Sequence, residues 1–219
     1  MHSIQLVEPM WWIDLLQWGI ELQDVHQWIS VLAPVFADVF VLIYPIFLVW
    51  LYIYAILKKR KSIKQWCLYI FLVTLIAVLI NILIQSFFYK ERRIVILNPT
   101  EASETLLHEI LPVSSFPSDH AVVSMAFAMA ALVWWIYTRK KFFTWSGVIL
   151  LLVSFVMTIC RILTLVHWPT DIVAWLGLWI IIPLIFIIRP IRYAFLRYLI
   201  NPIINLEQWI VRKLFKYEQ

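Results

Sequence analysis

The sequence predicts an all-α fold, a polytopic bundle of transmembrane helices. Of its 219 residues, 63% are hydrophobic and 14% are charged, whereas a soluble domain is about 45–50% apolar and about 25% charged. The mean hydropathy is +0.87, and three glycines leave few turn signals. An apolar excess of this size must face lipid, because one finite core cannot bury it. The length accommodates a single membrane-embedded domain over 1–219 and no sizeable soluble one.

Five stretches are apolar enough to cross a bilayer as helices, which takes about 20 residues. They form a catalytic bundle over 34–188 and run over 34–57, 65–88, 120–138, 142–160 and 168–188. Acids interrupt residues 10–32, so we expect an amphipathic, interfacial or tilted and partly inserted helix there, with a sixth crossing as the alternative. The basic tail, 190–219, predicts two amphipathic surface helices broken at Pro202.

The basic residues indicate which side of the membrane each loop occupies. Of the 18 Lys and Arg residues, five lie in 58–64, three in 139–141 and six in the tail beyond Ile188. With five alternating spans these segments share one side, which the positive-inside rule makes cytoplasmic. The remaining four fall on the opposite side, where they are candidates for function or chance residues in the headgroup layer: Lys90, Arg92, Arg93 and Arg161.

Two segments on that non-cytoplasmic side carry the residues expected to do chemistry. SSFPSDHA (114–121) begins the third span, and CRILTLVHWPTD (160–171) joins the fourth span to the fifth. Together they place two histidines, an arginine and an aspartate at helix ends that face one aqueous compartment: His120, Arg161, His167 and Asp171.

The spacing of these residues favours phosphoryl transfer. His167 and Asp171 lie four apart at a helix start, so the carboxylate can hold one ring N–H and leave the other nitrogen free to attack. Arg161 supplies a fork of donors that matches phosphate oxygens. Ser118 is a candidate N-cap for a helix start that attracts anions, and His120 in that first turn can protonate a leaving oxygen. The set predicts a phosphohistidine mechanism; ordinary polar residues at the interface are the alternative.

These motifs resemble a known family. PSDH followed by R-x5-H-x3-D is similar to the second and third signatures, PSGH and SR-x5-H-x3-D, of the type 2 phosphatidic acid phosphatase (PAP2) superfamily. The matching residues are Pro117, Ser118, His120, Arg161, His167 and Asp171. Asp119 replaces a glycine and Cys160 a serine, and the PSDH form resembles bacterial members similar to undecaprenyl-diphosphate phosphatases.

The resemblance assigns roles to these residues. It implies that His167 is the nucleophile, Asp171 its orienting partner and His120 the general acid, while Arg161 and Ser118 bind phosphate. It implies no metal and no other cofactor.

The resemblance also implies a substrate and a location. We expect a multi-pass plasma-membrane phosphatase of the cell envelope, with its site on the non-cytoplasmic face, acting on undecaprenyl diphosphate to give the monophosphate. Phosphatidic acid or phosphatidylglycerol phosphate is the alternative substrate, and a catalytically weak lipid-binding or scaffold protein is the alternative of another class. The partners expected are the lipid substrate and the bilayer, without nucleic acid; the oligomeric state stays open.

The first signature of that family, K-x6-RP, is altered. Its candidate is YKERRIVILNP, residues 89–99. If Pro99 takes the proline position, Asn98 replaces the arginine and Glu91 occupies the lysine position. Lys90 and Arg92 flank that position and could reach the same phosphate, so either one is a candidate replacement.

Two acids have alternative roles. Asp119 either stabilises its own helix dipole or pairs with Arg92, Arg93 or the His120 ring. Asp38, near the outer end of the first span, either pairs with a basic residue inside the bundle or extends to the interface.

Overall fold

The computed structural model describes residues 4–5, 11–90, 116–164 and 167–215, and these ranges are almost entirely helical, which confirms the all-α prediction. The helices are α1 (Trp11–Val25), α2 (Gln27–Asp38), α3 (Ile43–Leu57), α4 (Lys61–Phe87), α5 (Asp119–Thr138), α6 (Lys141–Leu163), α7 (Pro169–Ile187), α8 (Arg189–Phe195) and α9 (Asn201–Phe215). Two short parallel strands, β1 (Ile4–Gln5) and β2 (Phe88–Tyr89), pair with each other.

The helices form a polytopic membrane bundle. Four segments in the described ranges are long and apolar enough to cross a bilayer: Gln27–Leu57, Lys61–Phe87, Asp119–Thr138 and Lys141–Leu163. A fifth candidate is the bent pair Trp179–Ile187 and Arg189–Lys213, whose two helices differ in direction by 82°. The predicted span 168–188 corresponds to α7, whose 19 residues rise about 28 Å and so nearly match the roughly 30 Å hydrocarbon core.

The N-terminal region differs from the single helix expected at 10–32. The backbone breaks at His26, where φ and ψ are −123° and 82°, and α2 continues through a 3-10 turn into α3. α2 therefore begins the first span, and three of its residues pack against Cys160 of α6: Ile29, Ala33 and Ala37. α1 has 15 residues, about 22 Å, which is too short for the alternative sixth crossing by itself.

α5 lies at the centre, packed against α4, α6 and α7. Its buried residues include many small ones: Ala121, Ala126, Ala128, Ala130 and Ala131. Small residues let helix backbones approach closely, which stabilises helix association in lipid. At the crossing with α6, a Cβ added to Gly147 would lie 2.5 Å from the Leu132 Cα. This close contact fixes the position of α5, whose first turn carries His120.

The predicted break of the tail at Pro202 is wrong. α8, a π-helical turn over Leu196–Ile200 and α9 run on as one helix. Pro202 is the second residue of α9 and follows the wider π turn. There its ring and its missing N–H disturb the helix less than they would in a regular α-helical interior.

A buried ion pair attaches this tail helix to the bundle. Lys64, which sequence reasoning placed in a basic loop, lies in α4 and is 5% exposed. Its ammonium donates to Glu207 of α9 at 2.6 Å, and the Tyr52 hydroxyl donates to the same carboxylate at 3.0 Å. Breaking such a pair is costly because the remaining charge stays buried. The tail is therefore packed against α3 and α4 and does not lie independently on the surface.

Candidate active site

His167 and Asp171 form the centre of the candidate site, at the start of α7. Trp168 precedes the helix in an extended conformation and Pro169 is its first residue. Asp171 Oδ2 accepts the Trp168 N–H at 2.9 Å and lies 3.4 Å from His167 Nδ1. Both side chains are buried. The carboxylate thus satisfies the helix start and faces one ring nitrogen, which leaves Nε2 on the opposite side of the ring.

Arg161, in the last turn of α6, approaches that opposite side. One terminal guanidinium nitrogen lies 3.2 Å from His167 Nε2. The other donates to the Asp38 carboxylate at 2.8 Å and to the Ala37 carbonyl at 3.2 Å. Asp38 is 65% exposed in its side chain, so it both pairs with the bundle and reaches the surface. The end of α2 therefore orients the guanidinium against the histidine.

Lys90, the residue after β2, lies within the same cluster. Its ammonium donates to Asp171 Oδ1 at 2.7 Å and to the Thr170 hydroxyl at 2.5 Å, and the side chain is almost fully buried. The rings of Phe116 and Trp168 lie 5.9 and 5.8 Å from it. A buried carboxylate needs such compensation for its charge. Lys90 thus enters the site through Asp171, whereas its predicted contact with phosphate stays a prediction.

The start of α5 supplies a second part of the site. Ser118 has the extended backbone of an N-cap, and its carbonyl accepts the Val122 N–H at 3.1 Å. Its hydroxyl does not cap the helix: although the residue is 2% exposed, Oγ has no hydrogen-bond partner in the described part of the chain. A buried hydroxyl without a partner is costly unless a ligand satisfies it. His120 lies half-buried in the first turn of α5, the helix that packs against α7.

Two amides of α4 hold the carboxylate of Asp119. Asn81 donates to Asp119 Oδ1 at 2.7 Å, and Gln85 donates to the same oxygen at 2.9 Å. Gln85 also donates to the Pro117 carbonyl at 2.7 Å. Asp119 lies in the first turn of α5, as the predicted helix-dipole role requires, whereas its predicted pairing with Arg92 or Arg93 falls on residues outside the described ranges. This carboxylate anchors the PSDH turn to α4.

Sequence reasoning therefore found part of this cluster and missed part. It predicted that Arg161, His167 and Asp171 share one site, and the structure places them together. Lys90, predicted as a candidate phosphate ligand, joins them through Asp171. Arg92 and Asn98 lie outside the described residues. The missed residues are Asn81, Gln85 and Thr170. Asn81 and Gln85 left a signal, since two amides four residues apart on one helix face are rare within an apolar span.

Comparison with known proteins finds two similarities to this chain. The family model of the PAP2 superfamily matches residues 87–193, a segment that contains Lys90, Ser118, His120, Arg161, His167 and Asp171. The chain is 40% identical over 57 residues to a protein of Escherichia coli (strain K12) named "Putative undecaprenyl-diphosphatase YbjG", covering 26% of this chain and 25% of that relative. No solved structure matches the chain.

Proposed function

We propose that this chain is a member of the PAP2 superfamily, whose family model matches residues 87–193, and that it hydrolyses a lipid phosphate or diphosphate through a phosphohistidine, without a metal. The observation that carries the proposal is the position of His167, with Asp171 beside Nδ1 and Arg161 beside Nε2. Asp171 favours the tautomer that keeps the proton on Nδ1. The lone pair of Nε2 then points towards the guanidinium, which is the group that would bind phosphate.

The first step transfers the phosphoryl group to the enzyme. His167 Nε2 attacks the terminal phosphorus, the N–P bond forms, and the bond from phosphorus to the lipid-side oxygen breaks. That oxygen takes a proton from His120, which begins the step as imidazolium. With a diphosphate substrate, the lipid monophosphate leaves.

The second step returns the enzyme to its starting state. Water attacks the phosphohistidine, its proton passes to neutral His120, and the N–P bond breaks to release inorganic phosphate. Donors placed where charge develops contribute to both steps. Arg161 can move its donor from Nε2 to a phosphoryl oxygen that enters between them, and the Ser118 hydroxyl can donate to a second oxygen.

The charge distribution supports a site on the non-cytoplasmic face of the plasma membrane. The basic segments 58–64 and 139–141 join the helix ends opposite to those that carry the site. The positive-inside rule assigns these basic segments to the cytoplasm. A substrate would then place its phosphate among Arg161, Ser118 and the two histidines while its apolar part stays in the membrane.

Undecaprenyl diphosphate is the substrate we propose first. The name of the relative in Escherichia coli and the PSDH form of the motif support an isoprenoid diphosphate. Its hydrolysis would give undecaprenyl monophosphate and inorganic phosphate. The same steps would serve phosphatidic acid, the alternative substrate, whose leaving group is the alcohol diacylglycerol and not a lipid monophosphate.

Phosphate release from undecaprenyl diphosphate, with a chelator present, tests the proposal. The purified wild type should turn over, and His167→Ala should be slower by a factor on the order of 10⁴, as for loss of a catalytic nucleophile or its base. His26→Ala is the matched control, because His26 is exposed at the break between α1 and α2. Equal turnover by wild type and His167→Ala would contradict the mechanism. No turnover by the wild type on any lipid phosphate would favour the scaffold alternative.

A further inference from the structure

A cavity lies at the end of the bundle opposite to the candidate site, where α5 ends and α8 begins. Its volume is about 360 Å³, within the range for small-molecule pockets. One wall comes from the last turn of α5, and the other comes from α8 and the π turn that follows it. The residues that line the cavity are Tyr137, Arg189, Pro190, Arg192, Tyr193 and Leu196. Two arginines and two tyrosines therefore share the cavity with apolar side chains, and no carboxylate of the described residues lines it.

The protein holds Arg192 in place without neutralising its charge. Its guanidinium donates to the Ile187 carbonyl at 3.2 Å and lies 4.3 Å from the centre of the Tyr137 ring. A carbonyl and an aromatic ring carry no net charge, so the arginine keeps its positive charge. Arg189 is exposed and lies three residues earlier on the same face of α8. Within the described ranges no carboxylate pairs with either arginine.

These donors suit the oxygens of a phosphate. A guanidinium presents paired N–H groups that match two phosphate oxygens. The Tyr193 hydroxyl accepts a hydrogen bond from Arg197 at 3.0 Å, so its own proton remains to be donated to an anion. The Tyr137 ring and the Leu196 side chain supply apolar surface beside these donors. The cavity therefore suits a ligand that joins a phosphate to an apolar part.

The tail that carries the cavity follows the membrane surface. The tail helix turns by 82° from the end of α7, and because α7 nearly spans the hydrocarbon core, the tail runs close to the membrane plane. From Arg189 to Phe215 it has five basic residues and one acid, Glu207, which is bound to Lys64. It also exposes large apolar side chains, among them Leu199, Leu206 and Trp209. A basic amphipathic helix in this orientation lies in the headgroup layer, where it meets anionic lipids.

We propose that this cavity binds the phosphate of an anionic glycerophospholipid from the leaflet opposite to the candidate site. The two arginines hold the phosphodiester, and the acyl chains leave beside Leu196 for the bilayer. A bound headgroup contacts Tyr137 of α5 and Arg192 of α8 together, so it holds the start of the tail against the bundle. This site is separate from the proposed hydrolysis, because it lies at the other end of the helices and shares no residue with the candidate site.

Native mass spectrometry of the full chain in detergent measures this binding directly. Dioleoyl phosphatidylglycerol and dioleoyl phosphatidylcholine have the same acyl chains and differ in the net charge of the headgroup. The first should bind more tightly by about 25-fold, because each arginine beside an anionic lipid contributes about fivefold. Arg189→Gln should lose about fivefold of this preference, and the double variant with Arg192→Gln should lose nearly all of it. Equal affinity of the wild type for the two lipids would overturn the proposal.

The double variant Arg212→Gln, Lys213→Gln is the matched control. It removes two positive charges from the same tail, but from residues that do not line the cavity. Its affinity for phosphatidylglycerol should stay unchanged. Equal losses in the two double variants would show a diffuse attraction between charges and overturn the site. Arg189→Gln keeps the test valid if the Arg192 substitution prevents folding, since Arg189 is exposed, and an unchanged lipid preference in that variant would also overturn the site.

Inorganic phosphate distinguishes a lipid site from a site for a free anion. An excess of it should leave phosphatidylglycerol bound, because it offers nothing to the apolar part of the cavity. Displacement of the lipid by inorganic phosphate would show a site for a free anion and overturn the assignment to lipid. None of these measurements depends on turnover, so the lipid site and the proposed hydrolysis can fail separately.

Discussion

Replacement of Lys90 by methionine distinguishes its two candidate roles. Its ammonium lies 2.7 Å from Asp171 Oδ1, and the two side chains are 4% and 0% exposed. Removal of one partner of such a pair costs about 3–5 kcal/mol, because the other charge stays buried. The lower value, about 3 kcal/mol, applies here because the Trp168 N–H still donates to Asp171 and His167 faces it. For a chain of this length that loss lowers Tm by about 6–12 °C.

The same variant should lower kcat with little change in KM. Without Lys90, the buried carboxylate favours a proton on His167, which removes the lone pair needed for attack. Asp171→Asn leaves the ammonium uncompensated and should cost about 3–5 kcal/mol, whereas the double variant should be more stable than the sum of the two losses predicts. Thermal unfolding in detergent, followed by tryptophan fluorescence, and phosphate release measure both quantities.

Lys64→Met is the matched control for this experiment. Lys64 is also a buried lysine with a carboxylate partner, Glu207, but it lies at the other end of the bundle. Its loss should lower Tm and leave kcat of the folded protein unchanged. A raised KM with an unchanged Tm in Lys90→Met would refute the pairing argument and make Lys90 a phosphate ligand. Strictly additive losses in the double variant would also refute it.

Three further substitutions test separate parts of the account. Asp38→Asn should lower kcat/KM by roughly fivefold in steady-state assays, since an exposed pair with Arg161 contributes up to about 1 kcal/mol. The substitution should leave Tm nearly unchanged, and a Tm loss as large as that of Lys90→Met would contradict this. Gln85→Leu removes two hydrogen bonds to the PSDH turn and should reduce the free energy of unfolding by about 1–3 kcal/mol in denaturant titrations. An unchanged free energy of unfolding would show that the hydrogen bond from Asn81 to Asp119 is enough to hold the turn on α4. Gly147→Val should lower Tm, because its Cβ would collide with the α5 backbone at a cost of about 1–3 kcal/mol; an unchanged Tm would mean that the two helices separate freely.

The spans could be predicted because lipid imposes one simple requirement on the sequence. A helix that faces lipid must be apolar over its whole length, so three predicted spans agree closely with α4, α5 and α6, and the predicted first span, 34–57, contains α3. The start of the first span at Gln27 was missed. The small residues that pack α2 against α6 have the same hydropathy as small residues at a membrane interface, so hydropathy does not distinguish the two. Pro202 was misread for a different reason. A proline breaks a regular helix, but the preceding π turn accommodates it.

The site could be predicted where its residues are close in sequence. His167 and Asp171 lie one helical turn apart, and their contact follows from helix geometry. The contacts of Asp171 with Lys90 and of Arg161 with Asp38 join residues 81 and 123 positions apart. Such contacts depend on how the helices pack, which no local pattern specifies. The role of Asp119 was missed for the same reason, since its partners come from α4.

Detection of the covalent intermediate tests the central claim most directly. Wild-type protein mixed with undecaprenyl diphosphate should be quenched within milliseconds at alkaline pH, where phosphohistidine is stable, and digested for mass spectrometry. The account predicts one phosphoryl group on the peptide that contains His167, and a longer lifetime for it in His120→Ala if that residue also accepts the proton of the attacking water. Full turnover without a phosphorylated His167, or with the group on another residue, would contradict it.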